Sequence, residues 1–315
     1  MTGSTGFVGS PLMRHLASDG HELRATLRSG SGSPPPVAAQ PVVVGDMSGE
    51  TDWDGAVKGI DAVVHLAARA HVMRDPAPDP LAAYRRVNVD ATLALGRAAA
   101  SAGVRRFVYI SSIKVNGDES SPGLPFRADS PTRPTDPYGI SKLEAEQGLH
   151  GMCAASGTEL VIIRPPLVYG PGVKANFRNL MSLVARGLPL PFGAIDNRRS
   201  LVAVDNLADL ISRCVTHPLA AGRTFFASDG EDLSTPEIVR RLARAMGLPA
   251  RLVPVPQGLL VLAGSLVGRS AAVHRLCGSL QVDASEATFT LGWHPPVSVD
   301  EGFARVVDDF MRRRG

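Results

Sequence analysis

Three glycines at the start of the chain constrain its fold more than any other feature of the sequence. Gly3, Gly6 and Gly9 stand three residues apart and lead into the amphipathic stretch Pro11–Ser18. Glycines at this spacing allow a tight turn in which backbone N–H groups approach a phosphate at a helix N-terminus. A glycine triplet alone is weak evidence, but a helix directly after it and strands further on favour a dinucleotide-binding unit.

The strand that should precede this turn is missing from the sequence. Only Met1 and Thr2 stand before Gly3, although the first strand of a doubly wound sheet is central. Its loss predicts a gap between two neighbouring strands, with buried N–H and C=O groups that each cost roughly 1–3 kcal/mol when unpaired. We interpret the gap as a sign that this chain begins inside the fold, and a natural variant without the strand is less favoured.

Short β-branched segments alternate with longer amphipathic segments over the first half of the chain. Strands are predicted at Leu23–Leu27, Val42–Val44, Ala62–Leu66, Phe107–Ser111 and Leu160–Arg164. Helices are predicted between them at Tyr84–Ala102 and Tyr138–Ala155. This alternation predicts an α/β fold with a Rossmann-type, doubly wound parallel sheet covered by helices.

The regular alternation weakens after Pro165, where prolines interrupt it and helical patterns dominate. We therefore predict a smaller, mostly helical C-terminal lobe that holds the substrate. The dinucleotide-binding domain is predicted to be 1–170 with 200–228 returning to it, and the substrate lobe to be 171–199 and 229–315. Helices are predicted at Phe177–Arg186, Leu201–Arg213 and Thr235–Met246, and an edge strand at Thr224–Ala227.

Composition excludes several classes of protein. With 33 basic and 30 acidic residues, 44% hydrophobic and 20% charged, the chain has the composition of an ordinary globular protein without a nucleic-acid-binding surface. The longest apolar run, 258–268, is about half of a membrane span and predicts a buried or interfacial helix that serves as core or as a dimer contact. No signal segment opens the chain, so a cytoplasmic protein with no membrane span is expected.

Cysteines and histidines give no sign of a metal site or a disulfide framework. Cys153, Cys214 and Cys277 lie far apart and without Cys-x-x-Cys spacing, which favours a reducing compartment. His65, His71 and His274 also lack metal-ligand spacing. We therefore predict no metal.

The residues after Leu27 and Val44 bear on the choice of dinucleotide. If the missing strand is counted as the first, they follow the second and third strands of the sheet. Enzymes that select NAD usually carry Asp or Glu after the second strand, whereas Arg suits the 2′-phosphate of NADP. Here the acid is absent and Arg28 is present, so NADP(H) is favoured and NAD(H) is the alternative. Asp46, after the third strand, is expected to meet the adenine ring.

Tyr138 and Lys142 carry the clearest chemical signal. They stand four residues apart at the start of a predicted helix and therefore share one face. A cation beside the phenol lowers its pKa from ~10 and makes the tyrosine a usable acid or base near neutral pH. Ser111 and Ser112 end a strand at the carboxyl edge of the sheet, where ligands of open α/β sheets bind and a hydroxyl can hydrogen-bond a substrate carbonyl.

Together these features resemble the extended short-chain dehydrogenase/reductases, the nucleotide-sugar epimerase/dehydratase family. The resemblance extends over nearly the whole chain. Besides the glycine turn, Ser111-Ser112 and the Tyr138 to Lys142 segment, it rests on residues 65–68, 88–92, 164–172, 199–205 and 291–295. Several of these motifs are weak singly, but their order and spacing together are specific.

The resemblance implies roles for individual residues. Ser112, Tyr138 and Lys142 are implied to be catalytic, with Asn88 as a supporting residue. The dinucleotide contacts are expected from Gly3, Thr5, Gly6, Phe7, Val8, Arg28, Asp46, Met47, Leu66, Ala67, Ala68, Tyr138, Lys142 and Pro165. Substrate contacts are expected from Ser112, Asn176 and Arg199, the last two with the UDP group, and from Arg275 as a second phosphate ligand without a firm motif. The family also implies a homodimer through the helices near 84–102 and 138–155.

The reaction remains open between several members of the family. Hexose 4,6-dehydratases carry an Asp-Glu pair where this chain has Ile113-Lys114, so a dehydratase is not favoured. Residues 111–117 and 164–177 look like the bacterial UDP-N-acetylquinovosamine dehydrogenases, which reduce a UDP-4-keto-6-deoxy-N-acetylhexosamine for surface polysaccharide. We therefore favour an NAD(P)H-dependent 4-ketoreductase of such a UDP-sugar. The alternatives are an NAD-dependent UDP-hexose or UDP-N-acetylhexosamine 4-epimerase and a non-catalytic dinucleotide sensor, although the full Ser-Tyr-Lys set argues against a sensor.

Overall fold

Parallel strands with helices between them form the frame of the chain, as the alternation in the sequence predicts. The structure is a computed structural model, and it describes residues 1–30, 32–70, 77–121, 123–266, 268 and 270–314. Its strands are β1 (Arg24–Leu27), β2 (Gln40–Val43), β3 (Ala62–His65), β4 (Arg106–Ile110), β5 (Glu159–Arg164), β6 (Leu167–Tyr169), β7 (Arg199–Ala203), β8 (Thr224–Phe226) and β9 (Asp232–Leu233).

The helices fall between these strands and after them. They are α1 (Gly9–Ser18), α2 (Asp54–Val57), α3 (Pro80–Arg85), α4 (Ala91–Ser101), α5 (Pro137–Ser156), α6 (Ala175–Val184), α7 (Val204–Thr216), α8 (Thr235–Ala245), α9 (Gln257–Leu266), α10 (Ser270–Cys277), α11 (Ser285–Leu291) and α12 (Val299–Arg312). A π-helical segment, Arg86–Asp90, joins α3 to α4. Within the described residues, no helix is both long and apolar enough to cross a bilayer.

The central sheet is parallel and buried on both faces. Its four main strands are ordered β3-β4-β5-β8, and β1 and β2 form a separate parallel pair. All five residues of β4 are buried, which agrees with the apolar run that follows its paired Arg106, because a parallel sheet covered by helices has no polar face. The predicted Rossmann-type fold is confirmed.

Met1 and Thr2 lie between the two parts of this sheet. The Thr2 N–H donates to the Val64 carbonyl at 3.0 Å, and the Thr26 N–H donates to the Met1 carbonyl at 3.0 Å. Thr2 also forms an isolated parallel bridge with His65. The gap expected where the first strand is missing is therefore bridged in part by two residues.

The Thr2 side chain adds a second connection. Its Oγ1 accepts hydrogen bonds from the N–H groups of Leu66 at 3.2 Å and Ala67 at 3.1 Å, and it lies 2.7 Å from Nδ1 of His65. Since Oγ1 already accepts two bonds, its own proton goes to Nδ1. Nε2 of His65 then carries the ring proton and donates it to Oγ1 of Thr92, 2.8 Å away.

The structure differs from the prediction in the segment that returns to the first domain. Residues 201–203 belong to the strand β7, which pairs in parallel with β6 and antiparallel with β9, and the helix α7 begins only at Val204. The predicted helix over 201–203 is therefore wrong. A short apolar run is compatible with a buried strand as well as with a buried helix. Here the run forms a strand because it hydrogen-bonds to β6. The predicted edge strand at Thr224–Ala227 corresponds to β8.

Two large apolar clusters lie on either side of β7. The first packs α1 and α7 against the central sheet, and Ala287, Leu291 and Trp293 from the C-terminal part also pack into it. The second lies among α6, α8 and α12 and includes Phe177, Leu242 and Phe303. The predicted division into two domains stays a prediction. Apolar residues within 287–293, which it assigns to the substrate lobe, pack against the central sheet.

The long apolar run near the C-terminus forms α9, but it does not form core. Of the residues in α9, only Gly264 is buried. Leu259 and Leu262 are each 56% exposed and Leu266 is 80% exposed. The prediction of core is therefore wrong for this helix, because no element among the described residues covers these three leucines, and the alternative of a dimer contact stays a prediction.

We expect the buried His65 to make the stability of the fold depend on pH. Burial is the main cause that lowers its pKa to about 3, helped by the charge of Lys142. Between pH 6.5 and pH 3 the unfolded chain therefore binds more protons than the folded chain, so the free energy of unfolding falls as the pH falls. Each pH unit contributes at most about 1.4 kcal/mol.

The test compares urea denaturation of the wild type and His65→Gln at several pH values below 7. The stability advantage of the wild type should narrow as the medium becomes more acidic. An advantage that stays constant with pH would show that His65 does not remain neutral in the folded protein.

Candidate active site

The turn between Gly3 and Gly9 is too tightly packed for side chains at its two ends. Gly3 has a positive φ of 67°, and a Cβ there would lie 2.9 Å from the Ala67 backbone nitrogen. A Cβ on Gly9 would lie 1.9 Å from the Gly3 carbonyl oxygen. Glycine is therefore required at both positions, which agrees with the spacing found in the sequence.

The N-terminus of α1 suits an anionic ligand. Val8 precedes the helix and cannot cap it with its side chain, and the first turn of the helix contains no acidic residue. The first N–H groups of a helix attract negative charge, although in α1 the Ser10 N–H already donates to the Gly6 carbonyl at 3.0 Å and Pro11 has no N–H. Oγ of Ser4 is also buried without a hydrogen-bond partner among the described residues. These features fit the pyrophosphate of a dinucleotide, with the predicted contacts Gly3, Thr5, Gly6, Phe7 and Val8 all in or beside this turn.

The two residues predicted to meet the adenosine end lie side by side. Nε of Arg28 is 3.2 Å from Oδ1 of Asp46, beyond the ends of β1 and β2, and both side chains are more than four-fifths exposed. An exposed pair of this kind contributes little to stability, so it can open for a ligand. Because the Asp46 carboxylate lies next to Arg28, the presence of Arg28 favours NADP over NAD less strongly than the sequence suggests.

Other predicted dinucleotide contacts lie along the carboxyl edge of the sheet. Leu66, Ala67 and Ala68 follow β3, and Pro165 follows β5. Met47 lies close behind β2, next to Asp46. The carboxyl edge is where ligands of open α/β sheets bind, so the fold brings these residues to the expected side.

Ser112 and Tyr138 meet at the end of β4. Oγ of Ser112 accepts a hydrogen bond from the Lys114 N–H at 3.3 Å and begins the short 3-10 turn Ile113–Val115. Burial raises the pKa of Tyr138 to about 12, and a side-chain hydrogen bond with Ser112 opposes the rise. Tyr138 stands in the first turn of α5, where the Asp136 side chain caps the helix by accepting from the Gly139 N–H at 2.7 Å.

Lys142 lies one turn further along α5 and is almost fully buried. Its Nζ donates to the Ile110 carbonyl at 2.8 Å and lies 4.5 Å from the centre of the Tyr109 ring. Burial lowers the pKa of Lys142 to about 7, although the negative charge of Glu146 opposes this. The sequence predicts that Lys142 lowers the pKa of Tyr138, but in this structure burial raises that pKa, and the interaction that opposes the rise comes from Ser112.

Asn88 connects the loop after β3 to α5. Its Oδ1 accepts from the Arg69 N–H at 2.8 Å, and its Nδ2 donates to the Arg69 carbonyl at 3.1 Å and to Oγ of Ser141 at 3.0 Å. It belongs to the π-helical segment, a distortion that is frequent at functional sites. Asn88, the predicted supporting residue, therefore fixes the position of residues next to Tyr138.

A buried ion pair behind Lys142 was missed in the sequence. Arg164 donates through two nitrogens to the two oxygens of Glu146, at 3.0 and 2.5 Å, and through a third to Oδ1 of Asn116 at 3.1 Å. Glu146 stands four residues after Lys142, on the same helix face, and that spacing was the available signal. Both side chains of the pair are less than a tenth exposed.

The predicted substrate residues are brought together only in part. Nη1 of Arg199 donates to the carbonyls of Arg275 and Gly278, at 2.9 and 2.8 Å, so the two arginines are close in the fold. Arg275 has an exposed side chain. Asn176 lies exposed in the first turn of α6, and no hydrogen bond joins it to either arginine in the part of the chain that the structure describes.

The cysteines and histidines do not form a further site. Cys153, Cys214 and Cys277 are buried and unpaired. Within the described ranges, no three His, Cys, Asp or Glu side chains group together as a metal site would require. His71 lies outside the described residues.

Comparison with known proteins agrees with this geometry. The model of the NAD dependent epimerase/dehydratase family matches residues 1–226. A UDP-glucose 4-epimerase of Vibrio cholerae is 46% identical over 314 residues, which cover 99% of this chain and 95% of the relative. The solved complex of MoeE5 with UDP-glucuronic acid and NAD has a TM-score of 0.77 at 25% identity, over 100% of this chain and 98% of that one. The UDP-glucose 4-epimerase of Thermotoga maritima, solved with UDP-glucose, has a TM-score of 0.77 at 22% identity over the same shares.

The parallel sheet, the glycine turn and the Ser-Tyr-Lys set at one edge define an enzyme of the short-chain dehydrogenase/reductase class. Within this class, the chain belongs to the NAD-dependent epimerase/dehydratase family. The family resemblance seen in the sequence is therefore confirmed.

We expect Gly9→Ala to abolish dinucleotide binding, because its Cβ would collide with the Gly3 carbonyl and open the turn. Gly151→Ala is the matched control: Gly151 also lies in a helix, and a Cβ there meets none of the described atoms within 4 Å. Alanine in a helix interior is favoured over glycine by up to about 1 kcal/mol.

The thermal denaturation midpoint with and without NAD and NADP measures binding. The wild type and Gly151→Ala should shift upward with dinucleotide, whereas a folded Gly9→Ala should not. An equal shift in Gly9→Ala would contradict the assignment of the turn, and the larger shift of the two dinucleotides tests the Arg28 argument.

Proposed function

We propose that the protein is a 4-epimerase of a UDP-linked hexose or N-acetylhexosamine, with NAD as its cofactor. The observation that carries the proposal is the position of the Ser112 hydroxyl, after the carboxyl end of β4, near enough to the Tyr138 phenol to influence its pKa, with Tyr138 on the same helix as the buried Lys142. A phenol paired with a hydroxyl at this edge suits proton transfer to and from a sugar oxygen. The end-to-end similarity to the V. cholerae UDP-glucose 4-epimerase supports an epimerase over the other reactions of the family.

The surroundings of Ser112 do not favour a dehydratase. Ile113 is buried, and Lys114 pairs with Asp118 and, at 3.3 Å, with Asp136. Neither residue offers the carboxylic acid that would remove a proton next to a ketone and expel water. These two residues therefore favour oxidation and reduction at one carbon over dehydration.

The residues of the chain divide the proton chemistry between them. Bound NAD would supply the hydride acceptor and, in the reverse direction, the hydride donor. Tyr138 takes the proton of the sugar 4-hydroxyl and returns it when the alcohol is formed again. Ser112 hydrogen-bonds the same oxygen, which gains negative charge as its proton leaves.

Tyr138 needs a nearby positive charge to do this. At a pKa of about 12, only about one molecule in 10⁵ carries the phenolate at pH 7. Lys142 is the cation nearest in the helix, and its Nζ is buried at the end of the same strand as Ser112. We therefore propose that the Lys142 ammonium stabilises the phenolate in the ligand-bound enzyme.

A 4-ketoreductase of a UDP-4-keto-6-deoxy-N-acetylhexosamine is the second candidate. It is favoured by Arg28 at the end of β1, where an NAD-selective enzyme usually carries an acid. The two candidates differ in redox balance. The epimerase leaves the cofactor unchanged after each turnover, whereas the reductase consumes one reduced dinucleotide per sugar.

The deciding experiment measures product and cofactor together. Conversion of UDP-glucose or UDP-N-acetylglucosamine to its 4-epimer, without net change in nicotinamide absorbance, is the expected result. Stoichiometric loss of NADPH with UDP-4-keto-6-deoxy-N-acetylglucosamine, and no epimer, would replace the first candidate by the second.

We expect Tyr138→Phe to lose turnover by roughly 10²–10⁴-fold, the range typical of a lost general acid or base. Dinucleotide binding should remain nearly intact, because the ring and its packing are kept. Steady-state kinetics and the dinucleotide shift in denaturation midpoint measure the two effects. Parallel loss of both would count against the role of Tyr138.

The neighbouring serines provide a matched pair of substitutions. Ser112→Ala should lower turnover by at least roughly tenfold, because it removes the hydroxyl paired with Tyr138. Ser111→Ala should stay near the wild type, since Oγ of Ser111 is buried without a hydrogen-bond partner among the described atoms. Equal effects of the two substitutions on kcat would overturn the choice of Ser112.

The location and assembly of the protein stay as predicted from the sequence. We propose a cytoplasmic homodimer that pairs through the helices near 84–102 and 138–155. Within one chain, α4 and α5 of these segments pack against each other.

A further inference from the structure

An uncovered apolar helix stands out among the parts of the molecule that the proposed reaction does not use. Leu259, Leu262 and Leu266 are spaced three and four residues apart, so they share one face of α9. They are 56%, 56% and 80% exposed, and α9 contains no charged residue at all. An exposed apolar face that is contiguous on one helix favours an interaction site.

The segment of sequence that contains this helix carries only positive charge, and one of its arginines, Arg241, is paired with Glu231 and Asp300. Between residues 238 and 282 the sequence contains six arginines and no aspartate or glutamate. Without these six, the chain would have 27 basic residues against 30 acidic ones, so this segment accounts for the net positive charge of the whole protein. Among the described residues of the segment, Arg240, Arg244, Arg251 and Arg275 are exposed.

We propose that α9 and its flanking arginines bind the protein to the surface of an anionic membrane. An apolar helix without charges can lie in the headgroup region with its leucines in the acyl boundary, while nearby arginines meet the lipid phosphates. Ten residues of helix measure only about 15 Å, half of a bilayer core, so α9 lies along the surface.

Charge also argues against a second copy of the chain as the occupant. A symmetric contact centred on α9 would bring two arginine-rich segments together, and like charges would oppose it. An anionic lipid surface has the opposite sign and needs no matching shape. The lipid surface is therefore the occupant that the charge pattern fits.

The proposed surface continues into one wall of the candidate active site. α10 packs against α9. At the C-terminal end of α10, the carbonyls of Arg275 and Gly278 accept hydrogen bonds from the Arg199 side chain. Membrane binding would therefore hold the substrate side of the enzyme close to the lipid. The inference does not depend on which UDP-sugar the enzyme accepts.

Flotation of the full-length protein with lipid vesicles tests the proposal. The wild type should float with phosphatidylcholine vesicles that contain phosphatidylglycerol, and should float less at high salt or with phosphatidylcholine alone. Arg251→Gln should lower the partition coefficient roughly fivefold, the effect of about one charge near an anionic surface.

The combined variant Leu259→Ser, Leu262→Ser and Leu266→Ser should lose vesicle binding. Leu219→Ser and Phe289→Ser are the matched controls, because these side chains are 57% and 85% exposed on other parts of the chain. The controls should bind like the wild type. An unchanged circular dichroism melting curve shows that the triple variant is folded.

Three outcomes would overturn the proposal. The wild type could fail to float with anionic vesicles, or the triple variant could float as well as the wild type. Alternatively, sedimentation velocity could show a dimer that only the α9 substitutions dissociate, which would assign the face to a second copy. Enzyme turnover on soluble substrate should be equal in the wild type and the triple variant, so this test is separate from the test of the reaction.

Discussion

The close approach of two backbone segments organises the edge of the sheet on which the candidate site lies. The glycine turn rests directly on the loop after β3, where a Cβ on Gly3 would come within 2.9 Å of the Ala67 nitrogen. The Thr2 hydroxyl accepts hydrogen bonds from that same loop, at Leu66 and Ala67. Backbone hydrogen bonds from Thr26 to Met1 and from Thr2 to Val64 complete the connection between β1 and the rest of the sheet. The dinucleotide side of the site depends on it.

Burial governs the chemistry at the other side of the site. It raises the pKa of Tyr138 to about 12 and lowers that of Lys142 to about 7, so it disfavours the charged form of both groups. The Glu146 carboxylate, held by Arg164, opposes the effect on Lys142. Breaking a buried ion pair by removing one partner typically costs about 3–5 kcal/mol. The pair therefore supports the fold behind the site, and its Glu146 carboxylate favours the charged form of Lys142.

Local patterns in the sequence were sufficient for the glycine turn, the main strands and the Tyr138–Lys142 helix, because spacing alone encodes them. They were not sufficient where tertiary contacts decide. The apolar residues 201–203 suit a helix or a strand until β6 is known to lie beside them. The run that forms α9 has the composition of a core helix, and its exposure follows only from the absence of a neighbour across its leucines among the described residues.

Electrostatic details were also beyond the sequence. The spacing of Tyr138 and Lys142 predicts a lowered tyrosine pKa, but the depth at which both groups are buried reverses the direction. Arg28 alone indicated NADP, whereas the structure brings Asp46 to its side from the next strand. The first case depends on how deeply the fold buries Tyr138 and the second on the contact between Arg28 and Asp46, so neither could be found from local spacing.

The fate of the hydrogen on carbon 4 tests the central claim most directly. UDP-glucose deuterated at carbon 4 should be converted, with NAD present only in catalytic amount, to UDP-galactose that keeps the deuterium at carbon 4. Retention would mean that the hydride leaves and returns within one active site, as an epimerase requires. Conversion with the label replaced by solvent hydrogen, or no conversion by a protein that binds dinucleotide, would contradict the account.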